Sequence, residues 1–193
     1  MDYTTLYDKY NSELRPLISE FEGREEQFEE PILKSMAYVV DELSLLVQKE
    51  DPNEQNIHLK TAQQHLEEAV VNSYKFLVYS HHRRLKKFRK RFSRHQMELF
   101  KSGTFIGRFS ADSNKAKKHT RRAKKQKVLL EAKDDFKQAY ELYSSIDHEA
   151  TEFELEGAGL QSRTAGTIWT IVKMVLSVAA SVGAAYCFSN CSL

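Results

Sequence analysis

At 193 residues, with 29 Lys/Arg against 27 Asp/Glu, the chain is long enough for one domain of about 150 residues plus an added segment. Three prolines, seven glycines and 29% charged residues favour helix throughout. The only cysteines, Cys187 and Cys191, exclude a disulfide framework or CxxC metal site before them, and no P-loop, GxGxxG, GxSxG or HExxH pattern points to a metabolic enzyme or a cofactor.

Residues 4–29 are predicted as a first helix, because Leu6, Tyr10, Leu14, Leu17 and Phe21 recur at three- and four-residue steps. Pro16 is a candidate kink, and GREEQFEE reads as a solvated acidic end. A second helix begins near Pro31, a residue suited to a first helical turn. Its apolar side is Ile32, Met36, Val39, Leu43 and Leu46, and it stops by Asp51-Pro52-Asn53.

The third predicted helix is the longest, from about Asn53 to Lys101. Its core stripe is Ile57, Leu59, Ala62, Leu66, Ala69, Val70, Ser73, Phe76 and Leu77, and its second part keeps only Leu85, Phe88 and Phe92. About 48 residues of helix would reach roughly 72 Å. Such a helix either projects from its bundle or breaks near Ser80-His81-His82. Residues 102–114, SGTFIGRFSADSN, read as the main loop. A fourth helix runs from about Asp112 or Ser113 to Ile146, with Val128, Leu129, Ala132, Phe136, Ala139, Tyr140 and Tyr143 as its core stripe. Residues 149–163, acidic and then glycine-interrupted, read as a hinge.

Charge is strongly segregated. Residues 83–127 hold 18 Lys/Arg and 2 Asp/Glu, a net +16 that the rest of the chain offsets. Antiparallel pairing of the third and fourth helices therefore predicts a hairpin with a basic tip. Its candidate contacts are Arg83, Arg84, Lys86, Lys87 and Arg91 on one arm. Lys117, Lys118, Arg121, Arg122, Lys124 and Lys125 lie on the other. That density suits RNA, anionic lipid or an acidic surface of a neighbouring copy, and charge alone does not discriminate. Phe88 and Phe92 read as core or lipid contacts before base-stacking residues. His58 and His65 read as satisfied bundle histidines, and no metal ligand set is expected.

Residues 164–188 contain the most apolar run, AGTIWTIVKMVLSVAASVGAAYCF, and read as a transmembrane helix followed by a short tail, 189–193. Twenty-four helical residues reach about 36 Å against a hydrocarbon core of about 30 Å. A stripe of small and polar side chains, including Gly166, Thr170, Lys173, Ser177 and Ala184, with Ser181 bordering it, suggests close helix packing, most simply between copies of the chain. Lys173 either snorkels to the interface or faces a water-filled pore. Arg163 before the span and no charge after Lys173 place residues 1–148 on the cytosolic side of an inner (plasma) membrane. Residues 1–30 lack a signal-peptide pattern.

Arg89 and His95 stand in the spacing R-x5-H. This resembles the R-x(4–6)-H motif of HEPN domains, helical bundles that often act as dimeric ribonucleases. The resemblance implies a proton-transfer role for His95 and phosphate holding by Arg89. Lys90 replaces the polar residue often found after the family's arginine. A HEPN-like cytosolic part joined to a polar membrane helix resembles the membrane accessory proteins of type VI-B RNA-targeting CRISPR systems. That resemblance implies an oligomeric membrane pore in antiviral defence, with an RNA-guided nuclease as a partner.

The expected architecture is thus all-α: a cytosolic helical bundle over 1–148 with a long basic helical hairpin, plus one C-terminal transmembrane helix. The leading functional expectation is a homo-oligomeric pore in the lipid bilayer. The alternatives are a membrane-anchored RNA-binding protein or weak RNase, and a tail-anchored scaffold that recruits a partner.

Overall fold

The computed structural model describes residues 3–24 and 29–156, and every regular element among them is helical. The chain divides into two units, Met1–Glu149 and Ala150–Leu193. In the second unit only residues 150–156 are described, and they are helical. The apolar segment and its candidate residues Gly166, Thr170, Lys173, Ser177, Ser181 and Ala184 lie outside the described residues. Among the described residues no helix is long and apolar enough to cross a membrane.

In the first unit, α1 (Tyr3–Lys9) passes through a π-helical turn (Tyr10–Leu14) into α2 (Arg15–Glu22). Pro16 explains the turn. A proline has no N–H, and its ring crowds the carbonyl four residues earlier. Widening the helix to an Arg15 N–H bond to the Tyr10 carbonyl accommodates it without ending the helix. Leu14, Leu17 and Phe21 are buried as the spacing predicted. The helix stops at Glu22, short of the predicted end at residue 29.

α3 (Glu30–Val47) carries Pro31 in its first turn and buries Ile32 and Leu46. α4 (Pro52–Arg91) is the spine of the unit, 40 residues or about 60 Å. The Asp51 side chain accepts from the Asn53 N–H at 2.9 Å and caps it, with Pro52 opening the first turn. The helix does not break at Ser80-His81-His82. It ends ten residues before the predicted Lys101, because Phe92 turns extended and Ser93 starts α5 (Arg94–Leu99) with a capping box to Gln96. Ile57, predicted in the core stripe, is 62% exposed, since the stripe begins at Leu59.

The predicted loop over 102–114 is mostly helix. A 3₁₀ turn (Phe100–Gly103) reverses the chain, with Gly103 at φ +82°, and α6 (Thr104–Ala123) follows at once. The apolar content of the supposed loop decides this: Phe105 and Phe109 are buried one turn apart. They join Phe88, Phe92 and Phe100 in an aromatic cluster, with Phe105 edge-on to Phe88 at 6.1 Å and to Phe100 at 5.3 Å.

The fourth helix is not continuous. It breaks after Ala123, passes a 3₁₀ turn (Leu130–Ala132) and resumes as α7 over residues 133–156, beyond the predicted end at Ile146 and into the predicted hinge. Val128, expected in the core, sits in that break and is 51% exposed. Phe136, Ala139 and Tyr143 are buried as predicted.

Phe105→Ala is expected to cost about 3–5 kcal/mol, because it empties the centre of the aromatic cluster. Denaturant unfolding of the full chain checks this, and a loss below about 1 kcal/mol would contradict the packing described.

Candidate nucleic-acid interface

α6 runs back along α4. Phe109 meets Phe88 at 6.0 Å, while further along the chain the Lys124 ammonium lies 5.0 Å from the Tyr79 ring, nine residues earlier on α4 than Phe88. The buried face of α6 is Phe105, Phe109, Ala116 and Ala123, and the two alanines let the helices approach closely. This corrects the predicted hairpin. The turn between the arms is aromatic, and the basic run 115–125 lies beside the C-terminal third of α4 rather than at a tip.

A cleft and an adjoining basic face of α6 result. The first, of about 580 Å³, lies between α4, α5, α6 and α7. Lys86, Arg89, Arg94 and Lys117 supply its charge, Ser110, Ser113 and Asn114 its neutral hydrogen-bonding groups, and His82 and Tyr143 an aromatic wall. The second, about 520 Å³, follows α6 through Lys117, Lys118, Arg121, Arg122 and Lys125. Asn114 and Lys117 belong to both, so the two form one track.

The sequence-derived candidates separate on this surface. Lys86, Lys117, Lys118, Arg121 and Lys125 line the track without a carboxylate partner among the described residues. Arg83 and Lys87 are exposed on α4 but line neither surface. Arg122 pairs with Asp135 at 3.5 Å, Arg91 lies over Phe92, and Lys124 lies over Tyr79. Arg84 donates to the buried Asp147 at 2.6 Å, so its charge is offset although its side chain stays partly exposed. Arg89 lines the cleft; His95, exposed on α5 across the helix break, does not. The histidine in the cleft is His82. Its signal in the sequence is the spacing 82, 86, 89, which puts His82, Lys86 and Arg89 on one face of α4.

The residues behind the cleft form a buried ionic cluster that sequence reasoning missed. His81 and Asp147 are fully buried. His81 Nδ1 donates to Asp147 Oδ2 at 2.9 Å, and Nε2 donates to Glu20 Oε1 at 3.0 Å. With a carboxylate on each ring nitrogen, the imidazole carries both protons. Arg24 and Arg84 donate to the two Asp147 oxygens, each at 2.6 Å, and Tyr140 donates to Glu20. Burial pushes the Asp147 carboxyl up, but the bonds from His81, Arg24 and Arg84 overrule it and hold it at about 2. Burial likewise raises Glu20, and the bonds from His81 and Tyr140 bring it to about 2. Burial alone would lower His81; its two carboxylate partners raise it above the ordinary value.

Three further histidines have carboxylate partners: His58 meets Glu42 at 2.7 Å, His65 meets Glu68 at 3.2 Å and His119 meets Asp135 at 2.8 Å. Phe88 is buried and Phe92 packs on it at 4.9 Å, as core residues. No protein-family model matches the chain, and no curated protein or solved structure matches it.

Asp147→Asn is expected to cost about 3–5 kcal/mol, since it strands two guanidinium groups and an imidazolium. The pH dependence has a definite sign. Glu20 and Asp147, depressed in the fold, stabilise it above their ordinary 4.5 and 3.8 and lose that as pH falls toward about 2. His81, raised in the fold, stabilises it below its ordinary 6.5 and loses that as pH rises through its folded value. His82, lowered in the fold, opposes His81 by losing stability as pH falls below 6.5, so thermal unfolding should show greatest stability at about pH 6.5, where the two slopes meet. A maximum on the alkaline side would contradict a protonated His81.

Proposed function

We propose that the helical unit binds single-stranded RNA along the α4–α6 track and that the C-terminal apolar segment tethers it to the plasma membrane, with the unit in the cytosol. The observation that carries this reading is the concavity of the cleft and the composition of the track. A flat anionic membrane is best met by a level or convex basic face. A recessed cleft with Ser, Asn and aromatic groups beside its cations instead suits a strand with phosphates, riboses and bases. Arg89 lines this track and His95 does not, so binding by Arg89 does not require His95.

Gly107 offers a clean test. It lines the cleft, and a side chain added there meets nothing within 4 Å. Gly107→Glu is expected to weaken binding of a labelled RNA oligonucleotide about tenfold at low salt, with Gly107→Ala close to wild type. Unchanged affinity in the glutamate variant would remove the reading, and preferred binding to anionic vesicles over RNA would replace it with a lipid surface.

A second reading rests on the sequence of 165–188. The stripe of Gly166, Thr170, Lys173, Ser177, Ser181 and Ala184 supports a homo-oligomeric pore, and the resemblance to CRISPR membrane accessory proteins supports an antiviral role beside an RNA-guided nuclease. Under it, Lys173→Leu abolishes ion conductance in liposomes while membrane insertion persists. Conductance equal to wild type would remove Lys173 from the pore.

A further inference from the structure

We infer that His82 is a proton-linked phosphate ligand: an RNA phosphate seated among Lys86, Arg89 and Lys117 draws a proton onto its ring. This deepens the RNA-binding reading and rests on it for the identity of the anion.

The placement of the ring carries the inference. His82 lies one turn before Lys86 and two turns before Arg89 on α4, so the three share the wall of the cleft. Its ring is half-buried and packs on Tyr143 of α7 at 5.4 Å, which aims it across the cleft rather than away from it. The charged groups around it come from each neighbouring element. α4 contributes Lys86 and Arg89, α5 contributes Arg94, and α6 contributes Lys117 and Lys124. α7 contributes Tyr143, whose phenol burial pushes up to about 12, so it stays neutral. Among the described residues no carboxylate lines the cleft, and Glu98, outside it, pairs with Arg94 at 2.8 Å.

His82 is thus the counterpart of its neighbour in sequence. His81 has a carboxylate on each nitrogen; His82 has only cations and a phenol ring nearby. Burial and the charges of Lys117, Lys86 and Lys124 hold it below the ordinary 6.5, neutral at pH 7. An entering phosphate reverses both causes. It offsets the lysine field, and it accepts a hydrogen bond from a ring N–H that the charged ring strengthens. Because linkage is reciprocal, whatever the anion does to ring protonation, protonation does to anion affinity. One proton coupled in this way makes RNA affinity rise about three- to tenfold between about pH 7.5 and 5.5.

The experiment uses the full-length protein in detergent and a short oligouridylate without terminal phosphates, so that the RNA does not titrate in this range. Anisotropy gives affinity across pH, and NMR follows the His82 ring titration with and without the oligouridylate or inorganic sulfate. Affinity is expected to rise as pH falls, the His82 midpoint to rise with either anion, and His82→Gln to bind with no pH slope. His82→Lys, charged throughout, is expected to bind tightly at both ends of the range, which separates a charge effect from misfolding. Oligouridylate binding that leaves the His82 midpoint unmoved, or a slope that survives in His82→Gln, overturns the inference while RNA binding stands. A midpoint raised by sulfate with no oligouridylate binding overturns the RNA reading and keeps the phosphate site. A midpoint that neither anion moves overturns the inference.

Discussion

The fully buried Asp147 is the constraint on which the first unit depends. Its two oxygens take Arg24 from the chain end after α2, Arg84 and His81 from α4. Three segments distant in sequence are thereby held at one depth. A carboxylate without these donors would not stay ionised in an apolar bundle, and the three cations without it would repel one another. Glu20 completes the arrangement by taking the far nitrogen of His81 and the Tyr140 hydroxyl. Such a cluster contributes less to net stability than apolar side chains of equal volume would. Its consequence is positional: it sets where α7 crosses α4, and therefore where Tyr143 meets His82.

Two adjacent histidines on α4 thus face opposite electrostatic surroundings. A step of about 100° along the helix carries the chain from a carboxylate-lined interior to a cation-lined cleft. The inward residue is ionised as part of the fold, and the outward one remains neutral beside lysines. Arg84, three residues after His81, reaches the same Asp147, which is why it does not line the cleft with Lys86 and Arg89. The break at Phe92–Ser93 and the reversal at Gly103 then fold α6 back over the cleft and bring Lys117 across from Lys86.

The all-helical character was legible from periodicity, and so were the stripes of α2, α3 and α7, because each buries one continuous apolar face. The boundaries around residues 92–132 were not. Gly103, Gly107 and the serines flanking them, Ser102, Ser110 and Ser113, look like a loop, yet Phe105 and Phe109 bring more burial than those residues cost in propensity. The continuous stripe drawn through Val128 and Leu129 failed for the opposite reason. A run of basic residues tolerates a turn that exposes it, and Val128 went with the turn. Arg84 read as a surface charge because nothing local marks Asp147, 63 residues away, as its partner. Arg89 was identified through a motif whose second member, His95, lies beyond the helix break. His82, at helical spacing from Lys86 and Arg89, was the more informative neighbour.

RNA is proposed to lie in the recess between α4 and α6. Photocrosslinking of the full-length protein to a 4-thiouridine oligonucleotide, followed by peptide mapping, tests it most directly. The account predicts crosslinks confined to residues 82–94 and 106–125, suppressed as salt rises. Crosslinks concentrated on α1 and α3, or the absence of crosslinks at low salt, would contradict it.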